Sequence, residues 1–163
     1  MTRRHLLALL AAAPLLLPAA VRAYTEPTGP QPALPKEKLA VVTHDGVRHD
    51  FLVEMALTTD QQTTGLMFRT SVAEDGGMLF DWGEPRRSQM WMRNTVSSLD
   101  MLFIDSAGIV KHIAEHTVPY SLAVIDSGVP VRATLELAAG VAEKLDIRVG
   151  DKVLNKLFSN APQ

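Results

Sequence analysis

The chain has 163 residues, a length that one hydrophobic core serves well, so a single domain is expected. With 16 basic and 18 acidic residues the formal charge is -2, which builds no broad cationic field and excludes nucleic acid as a first partner. Hydrophobic residues make up 47% of the chain, which marks it as globular, and the lack of cysteine removes disulfides, thiolate metal sites, a cysteine nucleophile and a lipidated anchor.

Residues 1–23 open with Arg3, Arg4 and His5, continue through an apolar run over 6–20 broken by Pro14 and Pro18, and close on Val21-Arg22-Ala23. A basic start, an apolar centre and modest residues at the cut are the pattern of a secretory signal peptide, with cleavage expected before Tyr24. The prolines and Arg22 leave the run short of the roughly 20 unbroken apolar residues that a membrane span needs. The Arg3-Arg4 pair also resembles a twin-arginine export signal, and either route delivers a periplasmic or secreted product. Without Arg3, Arg4 and Arg22 the chain keeps 13 basic against 18 acidic residues, a formal -5 that anionic lipid repels, so no membrane association is expected after cleavage.

Residues 24–37 carry five prolines and glycines with few large apolar groups and read as a disordered leader, so that the domain spans 38–158, with a tail over 159–163. Residues 39–43 and 47–54 flank Asp45-Gly46, whose tolerance of positive φ predicts a β-hairpin. Thr58, Asp60 and the run to Gly65 predict a short helix capped by a hydroxyl and stopped by glycine. Met78-Leu79-Phe80 reads as a buried strand stub, 81–88 as a loop marked by Gly83 and Pro85, and 89–93 as strand-like. The apolar run 101–104, the turn 105–108 and the segment 109–114 predict a second hairpin, its first strand covered on both faces. Residues 132–137 read as a strand broken at Ala138-Ala139-Gly140, 141–145 as a helical turn, and 149–153 as a turn into a short closing strand. Many short strands with one or two short helices predict a mostly β (α+β) fold, a small antiparallel barrel or sandwich.

The segment Gln89-Met90-Trp91-Met92-Arg93-Asn94-Thr95, followed by Asp100, holds the densest chemistry. As a strand it would place Trp91 and Arg93 on one face, an indole beside a guanidinium, with Asn94, Thr95 and Asp100 adding donors and acceptors. Such a group suits a polar ligand with a flat face. The structural alternative makes Trp91 packing, Asn94-Thr95 a turn, and Asp100 the neutralising partner of an arginine.

The blocks Gly65-Leu66-Met67-Phe68-Arg69, Gly77-Met78-Leu79-Phe80, Trp91-Met92-Arg93-Asn94-Thr95, Leu99-Asp100-Met101-Leu102-Phe103-Ile104, Leu135-Glu136-Leu137-Ala138-Ala139-Gly140 and Gly150-Asp151 resemble the signature blocks of the domain of unknown function 192 family, in order and over nearly the whole domain. The resemblance implies a compact, mostly antiparallel β fold of barrel or sandwich type and brings no biochemical activity with it. Gln61-Gln62 stands where the family usually has Glu-Arg, Met90 where an aromatic is common, and Ser98 where a proline is common. The missing helix arginine leaves Arg69 and Arg93 as the candidate cations.

His112-Ile113-Ala114-Glu115-His116 spells a zinc-peptidase motif, but the β-branched residues around it favour a strand, in which Glu115 points away from both imidazoles. Five methionines, Met67, Met78, Met90, Met92 and Met101, sit inside apolar blocks and read as core rather than as copper ligands. No serine-nucleophile motif is present. The sequence therefore predicts a monomeric exported domain without metal or cofactor that binds a small polar ligand such as a saccharide through Arg69, Trp91, Arg93, Asn94, Thr95 and Asp100. The alternatives are a hydrolase or lyase acting on cell-envelope material, with Asp100 as acid or base, and a protein-assembly partner presenting a sheet edge.

Overall fold

The computed structural model describes residues 25–161; the expected signal peptide over 1–23 and the last two residues lie outside them. Seven strands, β1 (Lys36–Val42), β2 (Arg48–Ala56), β3 (Met78–Met90), β4 (Leu99–Ile104), β5 (Val110–Ala114), β6 (Ile125–Ala138) and β7 (Lys152–Leu154), form one sheet in the order β5-β4-β6-β3-β2-β1-β7. Every pairing is antiparallel except β2 with β3. The ends of the sheet meet: the Val110 amide donates to the Asp151 carbonyl, Gly150 to Val110, and Val153 to Gly108. The result is a nearly closed barrel with two short helices, α1 (Thr59–Thr64) and α2 (Val141–Lys144).

The local signals act as the chemistry requires. The Thr58 hydroxyl accepts from the Gln61 amide at the start of α1 while the Gln61 side chain returns to the Thr58 amide, and Gly65 ends the helix at φ 49°. The β1–β2 hairpin turns at Asp45-Gly46, with Val42 opposite Arg48. All six residues of β4 are buried, since both of its faces are covered. One face of the sheet packs Leu79, Leu102, Ile104, Ala133, Leu135 and Leu137 into the barrel interior. The alternate residues Met78, Phe80, Met101 and Phe103 join a second cluster, covered by Leu66 and Met92 from the connections that follow α1 and β3.

Three expectations change. Residues 81–88 are not a loop: β3 runs through them, and residues 82–85 stand against the single residue Arg132 of β6, a bulge that accommodates Gly83 and Pro85 without ending the strand. Strand β3 stops at Met90, so Trp91 and Arg93 stand in a connection and do not alternate on a sheet face. Residues 25–35 follow an extended path held against the domain, as Gln31 donates to the Gln61 and Gly65 carbonyls and the Leu34 amide to Glu54, and β1 begins at Lys36. Polar groups from the domain supply there the fixing that the leader's own composition lacks.

Candidate functional site

A cleft of about 260 Å³ opens over the second cluster. Thr59, Gln62 and Thr63 of α1 form one wall, continued by Gly65 and Met67; Phe80, Trp82 and Arg86 of β3 form the other, and Met90, Trp91 and Thr95 close the end. Glu136 of β6 also lines it. The register sets Glu136 between Met78 of β3 and Met101 of β4, so its side chain emerges on the face that these methionines fill. It is 4% exposed, and among the described residues its carboxyl makes no hydrogen bond or ion pair. Burial alone raises its pKa from 4.5 to about 8, because the surroundings penalise the charged form and nothing compensates it. At neutral pH the group is therefore mostly the neutral acid, able both to donate and to accept a hydrogen bond.

Two arginines lie on the two tryptophans of the cleft. The Arg86 guanidinium carbon is 4.4 Å from the Trp82 ring centroid, and that of Arg93 is 5.4 Å from the Trp91 ring. Trp82 is fixed by its indole N–H, which donates to the Thr134 hydroxyl at 3.1 Å, and by its tilted contact with Phe80. Trp91 is 42% exposed, so it is not core packing. Arg86 makes no ion pair among the described residues, whereas Arg93 grips the carboxylate of Glu26 through Nε at 2.9 Å and a terminal nitrogen at 2.6 Å.

The structure divides the six residues expected from sequence. Trp91 and Thr95 line the cleft, and the Thr95 hydroxyl donates to the Arg93 carbonyl, which ties the cleft end to the arginine beside it. Asn94, at φ 54°, turns the chain and adds a third hydrogen bond to Glu26. Arg69 lies apart, paired through both terminal nitrogens with the buried Glu54 at 3.2 and 3.1 Å. Asp100 is sealed in the core, accepting from the His116 amide and the Ala142 amide at 2.9 Å each. The second bond serves the start of α2, where Gly140 has no side chain to cap the helix. Its partners are thus backbone amides, not the arginine that the structural alternative supposed.

Sequence reasoning placed Glu136 in a family block and gave it no role. The available signal was a lone acid inside the apolar strand Leu135-Glu136-Leu137, since an unpaired charge at a covered strand position needs a reason. Arg86 was hidden in a segment read as loop. The two histidines of the zinc-like motif take separate partners: His112 stacks on Phe103 with ring centroids 5.6 Å apart, and His116, beyond the end of β5, faces Glu143 at 3.4 Å.

Comparison with known proteins gives a family match over residues 40–154, to DUF192, described as an uncharacterised conserved family. Among the solved structures that resemble the chain are two. One is a protein of Sinorhizobium meliloti 1021 described as a candidate transcription regulator, with 44% identity and a TM-score of 0.76, covering 78% of this chain and 98% of its own. The other, from Novosphingobium aromaticivorans DSM 12444, is described as of unknown function, with 37% identity and a TM-score of 0.72, covering 80% of this chain and 93% of its own. No curated protein matches.

Proposed function

This chain belongs to the DUF192 family, and from that premise we propose that its barrel is a binding domain for a small polar ligand, a saccharide before others, seated in the cleft over Glu136. The observation that carries this reading is the Glu136 carboxyl, buried, unpartnered among the described residues and facing a cavity. A bare buried acid costs stability, and a ligand hydroxyl that both donates to it and accepts from it recovers the lost hydrogen bonds. Trp91 offers a stacking face, while Thr59, Thr63 and Thr95 add hydroxyls to the walls. The volume lies just below the range of about 300 to 1,000 Å³ usual for ligand pockets, which suits one sugar ring rather than a long chain.

A protonated glutamate is also the state of a general acid, and this favours the hydrolase or lyase as the second reading. Glycoside hydrolysis, however, pairs two carboxyl groups, and Glu136 is the one acid among the described residues lining the cleft. Asp100, the acid this alternative named, spends both oxygens on backbone amides. Binding is therefore the reading put forward, in an exported protein as the pattern of residues 1–23 suggests. A role in transcription, the description given to the Sinorhizobium protein, gains no support from a formal charge of -2.

The test is a thermal-shift and tryptophan-fluorescence survey of the protein lacking residues 1–23 against monosaccharides and disaccharides. At least one sugar should raise the melting temperature and change the fluorescence, and Trp91→Ala should abolish both responses. A flat survey, or a response that Trp91→Ala leaves intact, would remove the reading.

A further inference from the structure

If the cleft is a binding site, its charge distribution says what it selects, an inference that rests on the reading above. Both tryptophans that line it carry a guanidinium, and the cleft acid contributes little negative charge at neutral pH. Arg86, exposed to solvent, is the member without an anion: among the described residues it has a ring contact and no ion pair, although the chain is rich in ion pairs elsewhere. Arg93 shows which anion such a position holds. Together with Asn94 it takes the carboxylate of Glu26 by three hydrogen bonds, and Glu26 reaches it from the leader, outside the barrel.

We propose that the ligand is an acidic saccharide, a uronic acid or a glycoside of one, whose sugar ring lies on a cleft tryptophan and whose carboxylate is received by the arginine at that tryptophan's face. A guanidinium binds a carboxylate through two parallel N–H bonds, stronger than neutral hydrogen bonds, which Arg86 is free to make. Over Trp91 the same carboxylate would compete with Glu26, so that the leader acts as an internal competitor at the Arg93–Asn94 fork. The ring hydroxyls meet Glu136 and the threonines, and the arginines supply the selection by charge.

Galacturonic acid and its methyl glycoside are compared with galactose and methyl galactoside by isothermal titration at pH 7. The uronate should bind about tenfold more tightly than the neutral sugar, as expected for one charge-assisted pair, and raised salt should narrow the gap. Arg86→Met should narrow the preference and Arg86→Met combined with Arg93→Gln should erase it, whereas Glu26→Ala, which removes the competing carboxylate from the fork without touching the cleft, should tighten uronate binding about threefold. Equal binding of acid and neutral sugars would overturn the inference while sparing the cleft reading, whereas binding of neither would overturn both. A preference that survives both Arg86→Met and Arg93→Gln would place the carboxylate elsewhere and overturn the inference as well.

Discussion

Glu136 makes the stability of the fold depend on pH through one side chain. Its pKa is about 8 when folded against the ordinary 4.5, so between those values the unfolded chain has released a proton that the folded chain retains. Stability falls with rising pH wherever the native state binds more protons, at a slope of at most about 1.4 kcal/mol per pH unit for one group. The contribution is fully present below the unfolded value and is lost as pH rises through the folded one. Glu136→Gln keeps the shape and cannot ionise. Urea unfolding at pH 5 and pH 8 should therefore show the parent losing about 2 kcal/mol or more relative to this variant over that interval. Parallel losses in the two proteins would mean that the group is ionised in the folded state at pH 8 and pH 5 alike, and would contradict the burial argument.

At the scale of elements, the register that delivers Glu136 depends on how closely β3 meets β6. Gly77, just before β3, holds φ 151°, and a Cβ there would stand 2.3 Å from the Glu136 carbonyl oxygen. Gly77→Ala must push the two strands apart or strain the backbone, at a cost of at least about 2 kcal/mol. Denaturant unfolding should show that loss, and sugar binding should weaken with it. If the variant matches the parent in both, this approach is not what sets the cleft. The same stretch shows what the sequence made legible. Hairpins turning at Asp45-Gly46 and at Gly108, and the helix capped by Thr58, were readable because their signals are local. The bulge in β3 was not, because Gly83 and Pro85 carry the same local signal whether they end a strand or buckle one, and only the pairing partner β6 decides. Trp91 and Thr95, which line the cleft, stood out because their block is dense in polar and aromatic groups. Glu136 and Arg86 were not singled out because their places at the cleft depend on which strands lie beside them, those of Met78 and Met101 in one case and the bulge in the other.

For the molecule as a whole, the open question of cooperativity lies at the seam where β5 meets β7. Three backbone hydrogen bonds span it, those of Val110, Gly150 and Val153, against the long ladders that join β3 to β6 and β4 to β6. A short seam between strands of five and three residues could open locally at little cost. The side chains argue otherwise. Val110 and Val153 are both fully buried in the interior cluster, together with Leu39, Leu102 and Phe158, so opening the seam would bring water to the core before any ladder had melted. Asn160 adds a tie, its side chain accepting from the Asn155 amide and donating to the Val153 carbonyl, which fastens the chain end beyond β7. The amides of Val110 and Val153 should therefore exchange with solvent only as slowly as those of Leu102 and Leu135 in the central strands, at a rate set by global unfolding. Native-state hydrogen exchange under increasing denaturant separates the cases. If the four amides merge onto one denaturant dependence, the barrel opens as a unit and the cleft on its flank inherits the stability of the whole. A shallow, early exchange confined to Val110 and Val153 would show a seam that breathes, with the β3–β4–β6 face that carries Glu136 persisting without it.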